Sequence, residues 1–298
     1  MALPKRSFPF APPTVPGGVD PPPPTRRLGA DYDTDWARRF PARFARLLLL
    51  EGFVRPSVAA LGAPERDGID RLHGVGGGPV IFAGNHHSHL DTPVVLTSIP
   101  EPWRHKVFVG AAADYFFRNR LTAAASALVI GAIPIERSKV TRRSADQAAT
   151  LIDAGWSMLI FPEGGRSPDG WGQPFRGGAA YLSSRCHVPV VPLHIEGTAR
   201  ILRKGAKLPT PANVRVTYGD PLHPLEGESA SRYAERIEQA VAVLADEATT
   251  DWWQSRQRAA AGSTPALTGP SAPAWRRAWA LGDRSRKRRR QTRPWPEL

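Results

Sequence analysis

Short apolar runs that alternate with helical patterns constrain this fold more than any other feature of the sequence. Five runs are rich in β-branched residues and bounded by turn residues, at 79–84, 106–111, 157–162, 188–195 and 213–219. Helical patterns fill the gaps, at roughly 93–99, 114–128, 141–154, 176–185 and 229–248. Strands separated by helices are typical of an α/β fold, so we predict one mixed, largely parallel sheet flanked by helices.

The two ends of the chain differ in composition from its centre. Residues 1–29 contain the run APPTVPGGVDPPPP. Proline fixes φ and lacks an N–H donor, so we predict a disordered arm there. Residues 251–298 are basic and rich in Pro, Ala and Arg, which predicts a disordered tail. A single folded domain should therefore occupy residues 30–250.

The net charge of +13 is concentrated at those ends. Residues 252–298 carry eleven Lys and Arg against two acids, and residues 1–43 carry seven against four Asp. The ends thus contribute +9 and +3, which leaves +1 for residues 44–251. A basic tail suits an anionic membrane or a nucleic acid. The sequence contains no recognisable nucleic-acid-reading module, so we expect no specific nucleic-acid partner.

Two further features restrict the class of protein. The single cysteine, Cys186, excludes an intrachain disulfide framework and a Cys-rich zinc site. No apolar run reaches the length of about eighteen residues that a membrane-spanning helix needs, and the N-terminus lacks an apolar signal core. We therefore expect a cytoplasmic protein.

Residues 35–54 form an amphipathic helical segment ahead of the strand runs. Its aromatic and aliphatic residues lie near one face, with arginines close by: Trp36, Phe40, Phe44, Leu47, Leu48 and Phe53, beside Arg38, Arg39, Arg43 and Arg46. Such a segment suits a membrane interface. It suits equally a helix docked on the sheet with its arginines reaching water.

The stretch AGNHHSHLDTP, residues 83–93, allows three interpretations. The pattern HSHLD at 87–91 resembles the start of a metallo-β-lactamase metal motif, but Thr92 stands where that motif needs another His. Asp91 could simply cap a helix. In the third interpretation the chain folds back, so that Asp91 meets one imidazole nitrogen of His86 and the other nitrogen acts as a general base.

Two downstream stretches supply groups that such a base could use. GAIPIERSK at 131–139 places Arg137 after an apolar run, and Arg presents a planar fork that suits phosphate. Lys139, Arg142 and Arg143 follow and could widen an anion site. FPEGGRS at 161–167 combines a carboxylate, Glu163, with glycines that let a ligand approach the backbone.

Four blocks, in order, are similar to the motifs of the glycerolphosphate and lysophosphatidate acyltransferase family: NHHSHLD, GAIPIER, FPEGGRS and VPVVP. The resemblance covers roughly residues 79–198, and the family's domain length would extend it to about 35–248. The third block departs from the family at Gly165, where many members have Thr. That departure affects the expected contacts with the acceptor.

The resemblance implies a mechanism and a set of site residues. His86, oriented by Asp91, would take the proton of an acceptor hydroxyl, which then attacks an acyl-CoA or acyl carrier protein thioester without an acyl-enzyme. Arg137 would hold the acceptor phosphate. The remaining acceptor-binding residues would be Glu163, Gly164, Gly165 and Arg166. No metal or cofactor is expected.

The expected acceptor is a lysophospholipid, most directly lysophosphatidate giving phosphatidate. Another lipid or glycolipid alcohol is the alternative, and a metallo-β-lactamase-like hydrolase or a nucleic-acid-binding protein are more remote ones. Because the products are lipids, we expect peripheral attachment to the inner face of the cell membrane through residues 35–54, the apolar residues 115–117 and the basic ends.

Overall fold

The structure is a computed structural model that describes residues 28–136, 142–167, 170–202 and 208–269, without the side chains of residues 142 and 143. The predicted Pro-rich arm, apart from Leu28 and Gly29, lies outside the described residues. The same holds for the tail beyond residue 269.

One sheet of seven strands lies at the centre of the described residues. In chain order they are β1 (Glu65–Asp67), β2 (Ile81–Gly84), β3 (Val107–Ala112), β4 (Ala132–Ile135), β5 (Ser157–Ile160), β6 (Val190–Glu196) and β7 (Arg215–Tyr218). Their order across the sheet is β1-β7-β6-β2-β5-β3-β4. All neighbours pair in parallel except β6 and β7, so the predicted mixed, largely parallel sheet is confirmed.

Ten α-helices connect and cover the strands in the described residues. They are α1 (Ala42–Leu49), α2 (Arg55–Gly62), α3 (Asp91–Ser98), α4 (Ala113–Phe116), α5 (Arg120–Val129), α6 (Arg142–Asp153), α7 (Gly178–Cys186), α8 (Thr198–Ile201), α9 (Ala230–Thr249) and α10 (Trp252–Ala260). Short 3-10 segments occur at Gly29–Asp31, Asp35–Arg38, Ile69–Val75 and Arg104–Lys106.

Both faces of the sheet are buried. Along β2, Phe82 packs into the cluster that contains Val95 of α3, whereas Ile81 and Ala83 pack into the cluster that contains Ile152 of α6. Successive side chains of a strand point to opposite faces, so a strand covered on both sides must be apolar throughout. This explains why the central strands appear in the sequence as continuous apolar runs.

Two strands were missed by the sequence interpretation. All three residues of β1 are exposed and charged, so the strand carries no apolar signal. β4 contains Pro134, which argues against an interior strand. β4 is the edge of the sheet, where proline is tolerated because one side of the strand has no partner.

The amphipathic segment is longer and less regular than predicted. It comprises the 3-10 segment Asp35–Arg38, then α1, a π-helical turn at Leu50–Val54, and α2, which ends at Gly62. Its aromatic side is solvent-exposed, with Phe40 82% and Phe53 68% accessible. Within the described ranges, no helix has both the length and the apolar character needed to cross a bilayer.

The predicted disordered tail begins too early. α10 lies within it and is capped by the Asp251 carboxylate, which accepts a hydrogen bond from Gln254 N at 2.8 Å. Arg258 of α10 pairs with the buried Asp246 of α9 at 2.7 Å. Beyond α10, Leu267 O accepts a hydrogen bond from Gly172 N. The prediction of disorder is therefore wrong for Trp252–Ala260, because a cap and an ion pair hold this polar helix against α9.

Candidate active site

A cleft of about 370 Å³ opens at the carboxyl ends of the parallel strands. Residues that follow β2, β3, β4 and β5 line it, including His86, Tyr115, Glu136 and Phe161. Open α/β sheets bind ligands at this edge, because the strand-to-helix loops converge there. β2 lies between β6 and β5, so its loop is at the centre of the edge.

The loop after β2 is anchored by Asn85. Its side-chain amide donates to Ile195 O at 2.9 Å, and its side-chain oxygen accepts from Ile195 N at 2.8 Å. Asn85 thus closes a two-bond clamp on β6 while remaining buried. The clamp fixes where the loop leaves the sheet, and so fixes the start of the turn that carries His86.

The chain then curls around the carboxylate of Asp91, the first residue of α3. Oδ2 of Asp91 accepts hydrogen bonds from His87 N at 2.7 Å, Ser88 N at 2.8 Å and His86 Nδ1 at 2.8 Å. A carboxylate is favoured at a helix N-terminus by the helix dipole. The two backbone bonds explain why a spacing of five residues brings the imidazole and the carboxylate together.

The second oxygen of Asp91 is held by a residue that the sequence did not indicate. Thr198 Oγ1, on α8 beyond β6, donates to Asp91 Oδ1, and both residues are buried. Asp91 therefore accepts four hydrogen bonds. A single threonine after a strand gives no pattern that sequence reasoning could have used.

The imidazole of His86 is fixed on one side and open on the other. Its ring stacks on Phe161 with centroids 4.3 Å apart and planes 12° apart. Since Nδ1–H donates to Asp91, Nε2 is the nitrogen that can accept a proton. The side chain is 17% accessible and lines the cleft, whereas that of Asp91 is 1% accessible.

Glu163 does not face the cleft, contrary to the prediction that it contacts the acceptor. Its Oε1 accepts from His86 N at 2.8 Å and its Oε2 from Gln173 N at 2.9 Å, and the side chain is buried. Burial raises the pKa of Glu163 to about 7, against the lowering effect of those two hydrogen bonds. The residue fixes the loop that carries His86 and has no access to a ligand in the cleft.

The rest of the third motif block does line the cleft. Gly164, Gly165 and Arg166 all border it. Gly164 adopts φ +72°, and a Cβ there would lie 3.0 Å from the guanidinium of Arg176. Arg176 also lines the cleft and was missed, because an isolated arginine before a helix gives no signal in the sequence.

The four residues predicted to bind phosphate follow β4 in the sequence. Arg137 and Lys139 lie outside the described residues, and so do the side chains of Arg142 and Arg143 at the start of α6. The neighbouring Glu136 and Ile135 are described and line the cleft. Glu136, which directly precedes Arg137 in the sequence, is therefore part of the wall of the cleft.

Three other histidines lie near the site. His89 lines the cleft and stacks on Tyr115, with ring centroids 5.5 Å apart. Burial lowers the pKa of His87 and lowers that of His194, on β6, to about 4. Across the described parts of the chain, no three His, Cys, Asp or Glu side chains are grouped so that they could hold a metal ion. The imidazole of His86 is thus held by a carboxylate at Nδ1 and borders the cleft, an arrangement that is able to act as a general base.

Comparisons with known proteins place the chain beside acyltransferases. Residues 64–196 match the family model described as Acyltransferase. A chloroplastic 1-acyl-sn-glycerol-3-phosphate acyltransferase of Brassica napus is 30% identical over 149 residues, which are 49% of this chain and 41% of that protein. The 1-acyl-sn-glycerol-3-phosphate acyltransferase alpha of Homo sapiens is 25% identical over 182 residues, which are 58% of this chain and 61% of that protein.

The matches to the plant proteins cover less than half of their length, 41% and 45% for two chloroplastic relatives. A solved structure shares the fold: the 1-acyl-sn-glycerophosphate acyltransferase PlsC from Thermotoga maritima, with a TM-score of 0.57 and 22% identity. That likeness covers 74% of this chain and 85% of the other. The family-model match and the similar acyltransferases confirm the resemblance that the four motif blocks indicated, and the solved structure confirms the fold.

Proposed function

We propose that this chain, which carries an acyltransferase-family domain at residues 64–196, transfers a fatty acyl group from an acyl thioester to the hydroxyl of a lysophospholipid. Lysophosphatidate, giving phosphatidate, is the acceptor that the similar proteins suggest by name. One observation carries the proposal: His86 Nδ1 is bound to the buried Asp91 at 2.8 Å while the same ring borders an open cleft.

In the proposed reaction, Nε2 of His86 takes the proton of the acceptor hydroxyl as its oxygen attacks the thioester carbonyl carbon. Asp91 stabilises the imidazolium that forms. The tetrahedral intermediate collapses with cleavage of the C–S bond, and the imidazolium returns the proton to the departing thiolate. General-base catalysis of this kind contributes about 10²–10⁴-fold. No covalent acyl-enzyme and no metal are required.

The acceptor phosphate needs cations at the mouth of the cleft. Arg166 and Arg176 border it, and Arg137 follows the strand residues that form its wall. We assign Arg137 to the phosphate together with these two arginines, because guanidinium groups bind phosphate through paired hydrogen bonds. Arg137→Ala should then raise KM for a phosphorylated acceptor more than it lowers kcat. An acceptor without phosphate should respond much less.

An apolar cavity of about 390 Å³ continues from the cleft. The two share the lining residues Ile135, Ile160, Arg176 and Gly178, and the cavity extends between α6 and α7 to Ala148 and Leu182. A fatty chain would be removed from water there, which is favourable by about 0.8 kcal/mol per buried CH₂ group. We assign this cavity to the acyl chain.

The substrates require contact with a membrane, which we assign to the exposed aromatic side of residues 35–54 acting peripherally. Phe40, Phe44 and Phe53 are exposed there. Residues 115–117 contribute less than predicted, because Phe117 is fully buried and its ring centroid lies 5.6 Å from that of Tyr32. Attachment through the basic ends remains a prediction, since most of their residues lie outside the described part of the chain.

The deciding experiment is mass spectrometry of the products formed by the purified full chain from mixed acyl-CoAs and a panel of lysolipids. The expected product is a diacyl lipid that depends on His86 and is absent for the His86→Ala variant. Parallel reactions with acyl carrier protein thioesters identify the donor. Release of free fatty acid alone, with no acylated lipid from any acceptor, would contradict the proposal.

A further inference from the structure

A second cavity, which we call the arginine groove, lies between residues 38–50 and the start of β3. It has a volume of about 280 Å³, and its lining includes Arg38, Arg43, Arg46, His105, Phe40 and Phe44. It shares no lining residue with the catalytic cleft. The acyl-transfer mechanism leaves this groove without a role.

The lining of the arginine groove is positively charged: three of its residues are arginines, and none is an acid. Carboxylates outside the lining pair with two of its residues: Asp35 with Arg38 at 2.8 Å, and Glu51 and Glu101 with His105 at 3.6 and 3.5 Å. Arg46 is buried, and its described hydrogen bonds are long, at 3.5 Å to the carbonyls of Val129 and Ile130. Burial, and then the charges of Arg38 and Arg43, lower the pKa of Arg46 to about 10. Like charges held this close gain from an anion placed among them.

Arg38 offers a donor that the described residues do not use. Its Nη2 donates to Asp35 Oδ1 at 2.8 Å and to Thr34 Oγ1 at 2.9 Å. Its Nη1 is buried and has no hydrogen-bond partner among the described residues. The side chain is only 8% accessible. Buried donors without partners are rare in folded proteins, and Arg38 lines the groove, so an anionic group bound there would satisfy this donor.

Apolar side chains surround the same groove and are open to solvent. Phe40 is 82% and Phe44 54% accessible, and both line it beside the arginines. A small inorganic anion would leave these rings in water. An amphiphile would place its phosphate on the guanidinium groups and its chains against the rings, which suits an interfacial segment.

We propose that the arginine groove binds the phosphate of an anionic membrane phospholipid, as a site separate from the catalytic cleft. The inference rests on the membrane attachment that we assigned to residues 35–54, and it adds a defined headgroup contact to that attachment. Bound lipid would fix the depth at which this segment sits in the interface. It would thereby hold the catalytic domain at the surface while acceptor molecules exchange.

The test is calorimetric titration of the full chain with dihexanoyl phosphatidylglycerol below its micelle concentration. Arg38→Gln and Arg43→Gln should each weaken binding about tenfold, the equivalent of one lost charge-assisted hydrogen bond. Arg39→Gln is the matched control: it removes the same charge from the same segment, but Arg39 is exposed and does not line the groove. It should weaken binding less than about twofold.

Arg43→Gln guards against misfolding, because Arg43 is exposed and loses only a cation–π contact with Trp156 at 5.3 Å, whereas Arg38 also pairs with Asp35. Equal losses for Arg39→Gln and Arg43→Gln would overturn the proposal and indicate unspecific surface charge. Inorganic phosphate that binds as tightly as the lipid would overturn the assignment to a phospholipid. Acyl transfer between soluble substrates should be unchanged in all three variants. Absent activity in the wild type would instead contradict the proposed function, and the binding result would still stand.

Discussion

Two regions of the molecule satisfy their buried charges to different extents. One is the loop around His86, and the other is the arginine groove. At the loop, Asp91 accepts four hydrogen bonds, two of them from backbone N–H groups. In the groove, Arg46 makes only 3.5 Å contacts to carbonyls and is repelled by two neighbouring arginines. A fully hydrogen-bonded charge is held in one position, which suits a catalytic group. An uncompensated charge leaves binding energy for a ligand.

The largest effect that separates the two regions is expected at His86. His86→Ala removes the general base, so kcat for acyl transfer should fall by about 10²–10⁴-fold. Steady-state kinetics on the purified variant checks this, with circular dichroism to show that the fold is retained. His89→Ala removes another imidazole from the same cleft and should lower the rate by less than about tenfold. Similar losses in both variants would place the base elsewhere.

Two buried groups, Glu163 and His194, should contribute to the free energy of unfolding with opposite dependence on pH. The folded-state pKa of Glu163 is raised to about 7, so between pH 4.5 and 7 the folded chain binds more protons than the unfolded one. Its contribution to the free energy of unfolding therefore falls as pH rises. The pKa of His194 is lowered from 6.5 to about 4, so here the unfolded chain binds more protons. That contribution rises with pH over the same range.

Each contribution amounts to at most about 3.5 kcal/mol, since one pKa unit corresponds to about 1.4 kcal/mol. Glu163→Gln removes the falling contribution, so stability should increase more steeply from pH 4.5 to 6.5 than in the wild type. His194→Gln removes a rising contribution, so its slope should be lower than that of the wild type. Urea denaturation of all three proteins at several pH values measures the slopes. Slopes that move from the wild-type value in the same direction would show that one of these pKa directions is wrong.

Thr198 tests whether the carboxylate of Asp91 must be held on both oxygens. Thr198→Val keeps the shape of the side chain and removes the hydroxyl donor, which leaves a buried carboxylate oxygen unsatisfied at a cost of about 1–3 kcal/mol. Stability and kcat should both fall. Thr198→Ser keeps the donor and should restore most of the activity. If Val and Ser variants behave alike, the hydroxyl does not position Asp91.

The smallest effect on stability is expected on the exposed side of the segment that borders the groove. Phe40→Ser and Phe53→Ser replace side chains that are 82% and 68% accessible. The free energy of unfolding, measured by thermal denaturation, should therefore change by less than about 0.5 kcal/mol. The fraction of the protein that floats with anionic vesicles should nevertheless decrease. Phe117→Ala provides the comparison: it removes a fully buried ring and should lower the free energy of unfolding by about 3–5 kcal/mol.

Much of the fold was predictable, because the buried strands β2, β3, β5, β6 and β7 must be apolar and the helices between them carry a periodic pattern. The exposed strand β1 and the proline-containing edge strand β4 were not, since neither needs an apolar run. Pro192 lies in β6, an interior strand, where proline is rare; it comes one residue before the first pair with β7.

The sequence by itself determined the α/β class of the fold, because the strand and helix patterns are local. It also offered the pairing of His86 with Asp91 as one of three interpretations, because these two residues are close together in the chain. Only the tertiary structure decided what surrounds that pair. Thr198 is 107 residues from Asp91, and Glu163 is 77 residues from His86. Such contacts depend on the order of the strands in the sheet, which local patterns do not specify. For the same reason, the sequence listed the arginines of residues 38–46 and could not show that three of them line one groove with His105.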